Sequence, residues 1–142
     1  MRIRDLSVVA FSLALVGCSK EAPPAKAPPA HEDHRAPHGG AILELGEEEA
    51  HVEVLHDPKA GTLTLYVYGK SLDAPADVEA PTILLAGKEL KPTPLAGAGG
   101  ATASAWTVTD AALATDPLNG RVRVTVAGNT FQSPLEPAGH GG

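Results

Sequence analysis

A chain of 142 residues with 17 acidic against 11 basic side chains carries a formal net charge of −6. That balance argues against nucleic acid, whose phosphates are bound by neutralising lysines and arginines. The single cysteine excludes an intrachain disulfide, and with aromatic residues at only 4 % any core must be built from Val, Leu, Ile and Ala.

Arg2 and Arg4 precede an uncharged run from Leu6 to Gly17, interrupted only by the polar Ser7 and Ser12. The run is too short to span a bilayer as a helix, which takes roughly 20 residues. A charged start, a short apolar centre and a small residue before Cys18 predict a secretory signal over residues 1–17. Leu15-Val16-Gly17-Cys18 resembles the lipobox of bacterial lipoproteins. The resemblance implies that Cys18 is lipidated, becomes the mature N-terminus and holds the protein on a bacterial cell-envelope membrane, facing the periplasm. One acyl chain binds only marginally, so a lasting anchor implies several. Ser19 stands where an Asp would signal inner-membrane retention, which favours the outer membrane. Loss of residues 1–17, with Arg2, Arg4 and Asp5, moves the net charge to −7 and leaves neither methionine nor free thiol.

Residues 18–37 are rich in Lys, Glu, Ala and Pro, with Pro23-Pro24 and Pro28-Pro29, and show no apolar period. Such a spacer is semi-extended at ~3.1 Å per residue, so it reaches up to roughly 60 Å. About 100 residues remain beyond it, enough for one small domain and not two.

From residue 38 the pattern turns to period two. Ile42–Leu45 and His51–Val54 predict two strands around the polar turn Gly46–Glu49, and Thr62–Tyr68 predicts a third, ended by Gly69. Val78–Ala86 and Glu89-Leu90 predict two more, with Gly87-Lys88 as the hairpin turn. Residues 92–100 read as a loop, 101–108 as a strand holding Trp106, and Asp110–Leu113 as one helical turn. Arg121–Val126 is a further strand, with Gly128-Asn129 turning into Thr130-Phe131. Many short strands with turn signals predict an all-β fold, a small antiparallel β-sandwich (immunoglobulin-like) over residues 38–136, followed by a loose tail over 137–142.

Five of the six histidines fall between positions 31 and 56, interleaved with carboxylates. Imidazole and carboxylate together suit zinc, Cu(II) or nickel, whereas the lack of thiols and thioethers disfavours Cu(I). A hairpin centred on Glu47-Glu48 sets Glu44 opposite His51 and Ile42 opposite Glu53, with His51 and Glu53 on one strand face. In that register His38 falls at the open end beside His56 and Asp57, roughly 20 Å from His51 at ~3.4 Å per residue. The candidate ligands are thus His51 and Glu53 with Glu44, or His38, His56 and Asp57, which His31 and His34 from the linker could join. A plainer reading makes His51 and Glu53 the solvated face of a half-buried strand, and His38-Gly39-Gly40 a flexible lead into it.

His38-Gly39-Gly40, the His51-Val52-Glu53 strand and Leu63-Thr64-Leu65-Tyr66-Val67-Tyr68 resemble small bacterial periplasmic lipoproteins of uncharacterised function. The stretch from Thr62 to Pro75 and the Gly120–Val126 strand are also similar to an extra N-terminal β-domain in some heavy-metal efflux adaptors. The likeness covers about 90 residues and lacks an adaptor's coiled-coil, lipoyl-like and barrel segments. It implies a metal-associated periplasmic setting, with an efflux system as partner.

No enzyme is expected. Ser104 and Ser133 have no identifiable base, no Gly-x-Ser-x-Gly elbow is present, and no glycine-rich loop precedes a helix. The sequence points to a lipid-anchored, noncatalytic periplasmic binding module for a divalent metal ion. The alternative is a structural or interaction module of the envelope, with Tyr66 and Tyr68 as contact surface.

Overall fold

A computed structural model describes residues 35–95 and 101–135. The expected signal, Cys18, His34, most of the linker and the tail over 137–142 lie outside the described residues. In chain order the strands are β1 (Ala41–Leu45), β2 (Ala50–Asp57), β3 (Thr62–Tyr68), β4 (Val78–Glu79), β5 (Thr82–Leu85) and β6 (Lys88–Leu90). There follow β7 (Thr93–Pro94), β8 (Thr102–Ala103), β9 (Ala105–Thr109), a 3-10 turn at Ala111–Leu113, β10 (Gly120–Val126) and β11 (Asn129–Pro134).

Antiparallel pairing assembles these into a sheet ordered β1-β2-β3-β9-β7, a second ordered β11-β10-β5-β6, and the short pair β4-β8. The two larger sheets pack as a small all-β sandwich around one core. Period two decides which residues enter that core: Leu63, Leu65 and Val67 of β3 are fully buried, while Thr62, Thr64 and Tyr66 are not. Leu45, Val52 and Leu65 from one sheet join Ile83, Val122 and Val124 from the other. Full burial of each such side chain contributes roughly 1.5–3 kcal/mol. Trp106 is 2 % exposed, and its indole N–H donates to the Ala103 carbonyl at 2.9 Å, so the large ring enters the core without an orphaned donor.

The β1–β2 register is the expected one, with Leu45 opposite Ala50, Glu44 opposite His51 and Ile42 opposite Glu53. Other expectations are corrected. Val78–Ala86 is not one strand: the chain breaks at Ala80-Pro81, β4 pairing with β8 and β5 with β10. Pro81 has no N–H to donate, so the ladder stops there and the chain changes sheets. Residues 101–108 divide likewise at Ser104 into β8 and β9. Within 92–100, expected to be loop, Thr93 and Pro94 form β7 against Thr107 and Trp106; residues 96–100 lie outside the described residues.

Both tight hairpins turn one residue earlier than expected. Leu85 pairs with Lys88 and Val126 with Asn129, so the turn residues are Ala86-Gly87 and Ala127-Gly128. All four have positive φ, from 49° to 85°. That is the turn geometry matching strand twist, and it wants glycine where it can have it. Asp110–Leu113 forms the expected turn, with the Asp110 carboxylate accepting from the Ala112 N–H at 2.9 Å.

Candidate functional site

The outward face of β2 is not solvated. His51 and Glu53 are both fully buried, so β2 is covered on two sides over Ala50–Val54. The cover over Glu53 is the segment just ahead of β1. Gly39 donates its N–H to the Ala36 carbonyl at 3.1 Å and adopts φ +79°, which reverses the chain and lays His38 back over the sheet. Gly40 then passes so close to β2 that a Cβ would stand 2.6 Å from the Val54 carbonyl oxygen and 2.9 Å from Glu53 Cγ. Both glycines of His38-Gly39-Gly40 are therefore required, one for its dihedral and one for lack of space.

This fold-back closes a clasp around the Glu53 carboxylate. Oε1 accepts the backbone N–H of His38 at 2.7 Å and that of Gly40 at 2.9 Å. Oε2 accepts from the Tyr68 hydroxyl at 3.0 Å and from His38 Nδ1 at 2.9 Å. Tyr68 Oη also lies 3.1 Å from His38 Nδ1. The His38 ring is stacked on Tyr66, centroids 3.7 Å apart and 6° from parallel. Tyr66 stands directly across from Glu53 and Tyr68 across from His51, so one strand pair supplies the floor and one wall of the clasp.

Burial pushes the Glu53 carboxyl up. The Gly40 N–H, the His38 ring, the His38 N–H and the Tyr68 hydroxyl together outweigh it and hold the group below the ordinary carboxylate range. The Tyr68 phenol moves the other way, pushed well above its ordinary value by burial, by its hydrogen bond to Glu53 and by that neighbour's charge. Glu53 is thus ionised, with Tyr68 a fixed neutral donor. A buried ion of this kind costs several kcal/mol in lost hydration. Hydrogen bonds to a charged acceptor contribute about 1.5–3 kcal/mol each, enough for the four to offset it.

The two expected ligand clusters are redistributed. His38 sits on Glu53, not beside His56 and Asp57, because the chain turns at 36–39 and does not continue the β1 strand backwards. His56 donates from Nε2 to the Leu113 carbonyl at 2.7 Å, pinning the 3-10 turn to β2. Asp57 Oδ1 accepts from the Lys59 and Ala60 N–H groups at 3.0 and 3.1 Å and shapes the β2–β3 connection. His51 Nδ1 lies 3.0 Å from the Gly69 carbonyl oxygen, Glu44 remains exposed, and His34 lies outside the described residues. Among the described residues no group of three or more His, Cys, Asp or Glu side chains is gathered as a metal centre. Tyr68 is buried at 3 % exposed, and the half-buried Tyr66 has one ring face covered by His38, so the two tyrosines do not form an open aromatic face.

What remains chemically open is His38. An ionised carboxylate can only accept, so Nδ1 carries a proton, and in the neutral imidazole the lone pair then sits on Nε2, on a side chain 42 % exposed. A carboxylate behind an imidazole is the arrangement that orients metal-binding histidines and raises their basicity. The roles of Tyr68 and Gly40 were missed by sequence reasoning. Their signals are present in the double glycine ahead of a strand and in tyrosines that pair across from His51 and Glu53. The chain matches no family model, no curated protein and no solved structure.

Proposed function

We propose that the protein is a noncatalytic, lipid-anchored binding module of the bacterial cell envelope that takes a divalent metal ion (zinc, Cu(II) or nickel) through His38. The anchor is Cys18, the setting periplasmic, and the partner an efflux system whose adaptor β-domain the chain resembles. The observation that carries the metal reading is the 2.9 Å contact between buried Glu53 and Nδ1 of the half-exposed His38. It fixes the tautomer that leaves Nε2 available, as a second-shell carboxylate does. Further ligands come from the linker, where His31, Asp33 and His34 precede His38 by a few residues.

Calorimetric titration of the mature lipoprotein in detergent micelles with each metal tests this. The expected result is binding at one ion per chain, tighter than that of a peptide of residues 19–37. Glu53→Gln weakens it about 10- to 100-fold, the usual effect of losing a second-shell partner. Affinity no better than the peptide's overturns the reading.

A further inference from the structure

The second sheet turns a different face outward. In an acidic chain, β10 presents two exposed arginines, Arg121 and Arg123, on its outer side, with Val122 and Val124 in the core. Side chains two residues apart on a strand stand about 7 Å from one another. Lys88 and Lys91 on the neighbouring hairpin are paired with Asp110 and Glu89. Among the described residues Arg121 and Arg123 have no ion-pair partner.

Arg121 also borders a cavity of about 370 Å³, at the small end of the range for small-molecule sites. In register it stands between Leu84 of β5 and Pro134 of β11. Those two and Leu118 give the cavity apolar walls, while Asn119 adds an amide beside the guanidinium. A cation at the rim of an open hollow with leucine and proline on part of its wall suits a ligand with an anionic head and a short hydrocarbon body.

We infer that the hollow between Leu84, Leu118 and Pro134 binds an anionic amphiphile, its carboxylate or phosphate on Arg121 and its hydrocarbon against the apolar walls. Arg123, one step along the same face, adds long-range attraction without touching the cavity lining. Two sources fit this chemistry: a free amphiphile, or the headgroup and adjoining chain of an anionic membrane lipid.

The test uses the full chain with Cys18→Ser, which carries no acyl group, and three probes. Octanoate, inorganic phosphate and phosphatidylglycerol vesicles are compared, with phosphatidylcholine vesicles as reference. Saturable shifts of the Gly120 and Arg121 amide signals with octanoate assign a free amphiphile. Cosedimentation with phosphatidylglycerol but not phosphatidylcholine vesicles, without octanoate binding, assigns the membrane lipid. In either case Arg121→Gln weakens binding at least tenfold, Arg123→Gln less, and inorganic phosphate binds at least tenfold more weakly than octanoate wherever octanoate binds. The inference is overturned if neither octanoate nor phosphatidylglycerol binds, if Arg121→Gln binds as the parent does, or if phosphate alone matches octanoate.

Discussion

His51-Val52-Glu53-Val54 on β2 and Arg121-Val122-Arg123-Val124 on β10 share one pattern, a charged or titratable residue alternating with valine. Their fates are opposite. On β10 the alternation is literal, with valines buried and arginines exposed. On β2 every residue from Ala50 to Val54 is buried. The strands themselves do not differ enough to explain this. What differs is that a segment outside the sheet, His38-Gly39-Gly40, folds over β2 and supplies the donors that a buried carboxylate needs, while nothing among the described residues pairs with the arginines of β10. Period two says which residues share a face; it does not say whether that face is covered.

Neutralising one polar residue on each strand separates the two faces most strongly. Glu53→Gln places an amide NH₂ against groups that themselves donate, and loss of a buried charged partner costs about 3–5 kcal/mol. Arg123→Gln, on the solvated face, is expected to stay within about 0.5 kcal/mol of the parent. Equal effects in urea unfolding would erase the distinction between the two faces.

Of these two strands, acid should act on β2 and leave the arginines of β10 charged. The Glu53 carboxyl titrates below its ordinary 4.5 when folded, so the unfolded chain takes up its proton first as pH falls. Its contribution is complete above that value and is lost as pH drops through the folded pKa. Unfolding midpoints should therefore fall more steeply below about pH 4.5 for the parent than for Glu53→Gln, the reference being the ordinary carboxylate value. Parallel profiles would mean that the clasp does not depend on the charge.

Smaller effects probe the parts of the clasp. Gly40→Ala forces a methyl against the Val54 carbonyl oxygen and the Glu53 side chain, and overpacking of this sort costs about 1–3 kcal/mol. Tyr68→Phe removes one of four donors and keeps the ring, so about 1–2 kcal/mol is expected by chemical denaturation. A neutral Tyr68→Phe would assign the carboxylate's hold to His38 and Gly40 only.

Much of the fold was legible before the structure. The β1–β2 register follows from centring a turn on Glu47-Glu48, and Thr62–Tyr68 reads as a strand from composition alone. The errors have local causes. Pro81 interrupts a run that looks continuous because most of its residues are apolar, although Val78 and Ile83, an odd number of residues apart and both buried, belong to different sheets. The tight turns were displaced by one residue because alanine holds the first positive-φ position at 86 and 127, where asparagine is the usual signal.

The site was legible in its members and not in its grouping. His38 and Glu53 were both candidate residues, but extending the β1 strand backwards sets them apart. Only the left-handed Gly39 turns His38 back, and a dihedral of that kind leaves no trace in a hydrophobic pattern beyond the glycine itself. His56 and Asp57 shared the residue types of a ligand pair, yet their partners are backbone groups of the 3-10 turn and of the β2–β3 connection. Those partners are set by tertiary packing that composition does not encode.

The Glu53 carboxylate holds the His38 and Gly40 amides, and amide hydrogen exchange resolved by NMR reads those two bonds individually. In the parent chain both amides should be protected, and in Glu53→Gln both should exchange faster while Val122 and Val124 keep their protection. Fast exchange at Gly40 in the parent, or protection unchanged by the substitution, would mean that the carboxylate does not hold this segment.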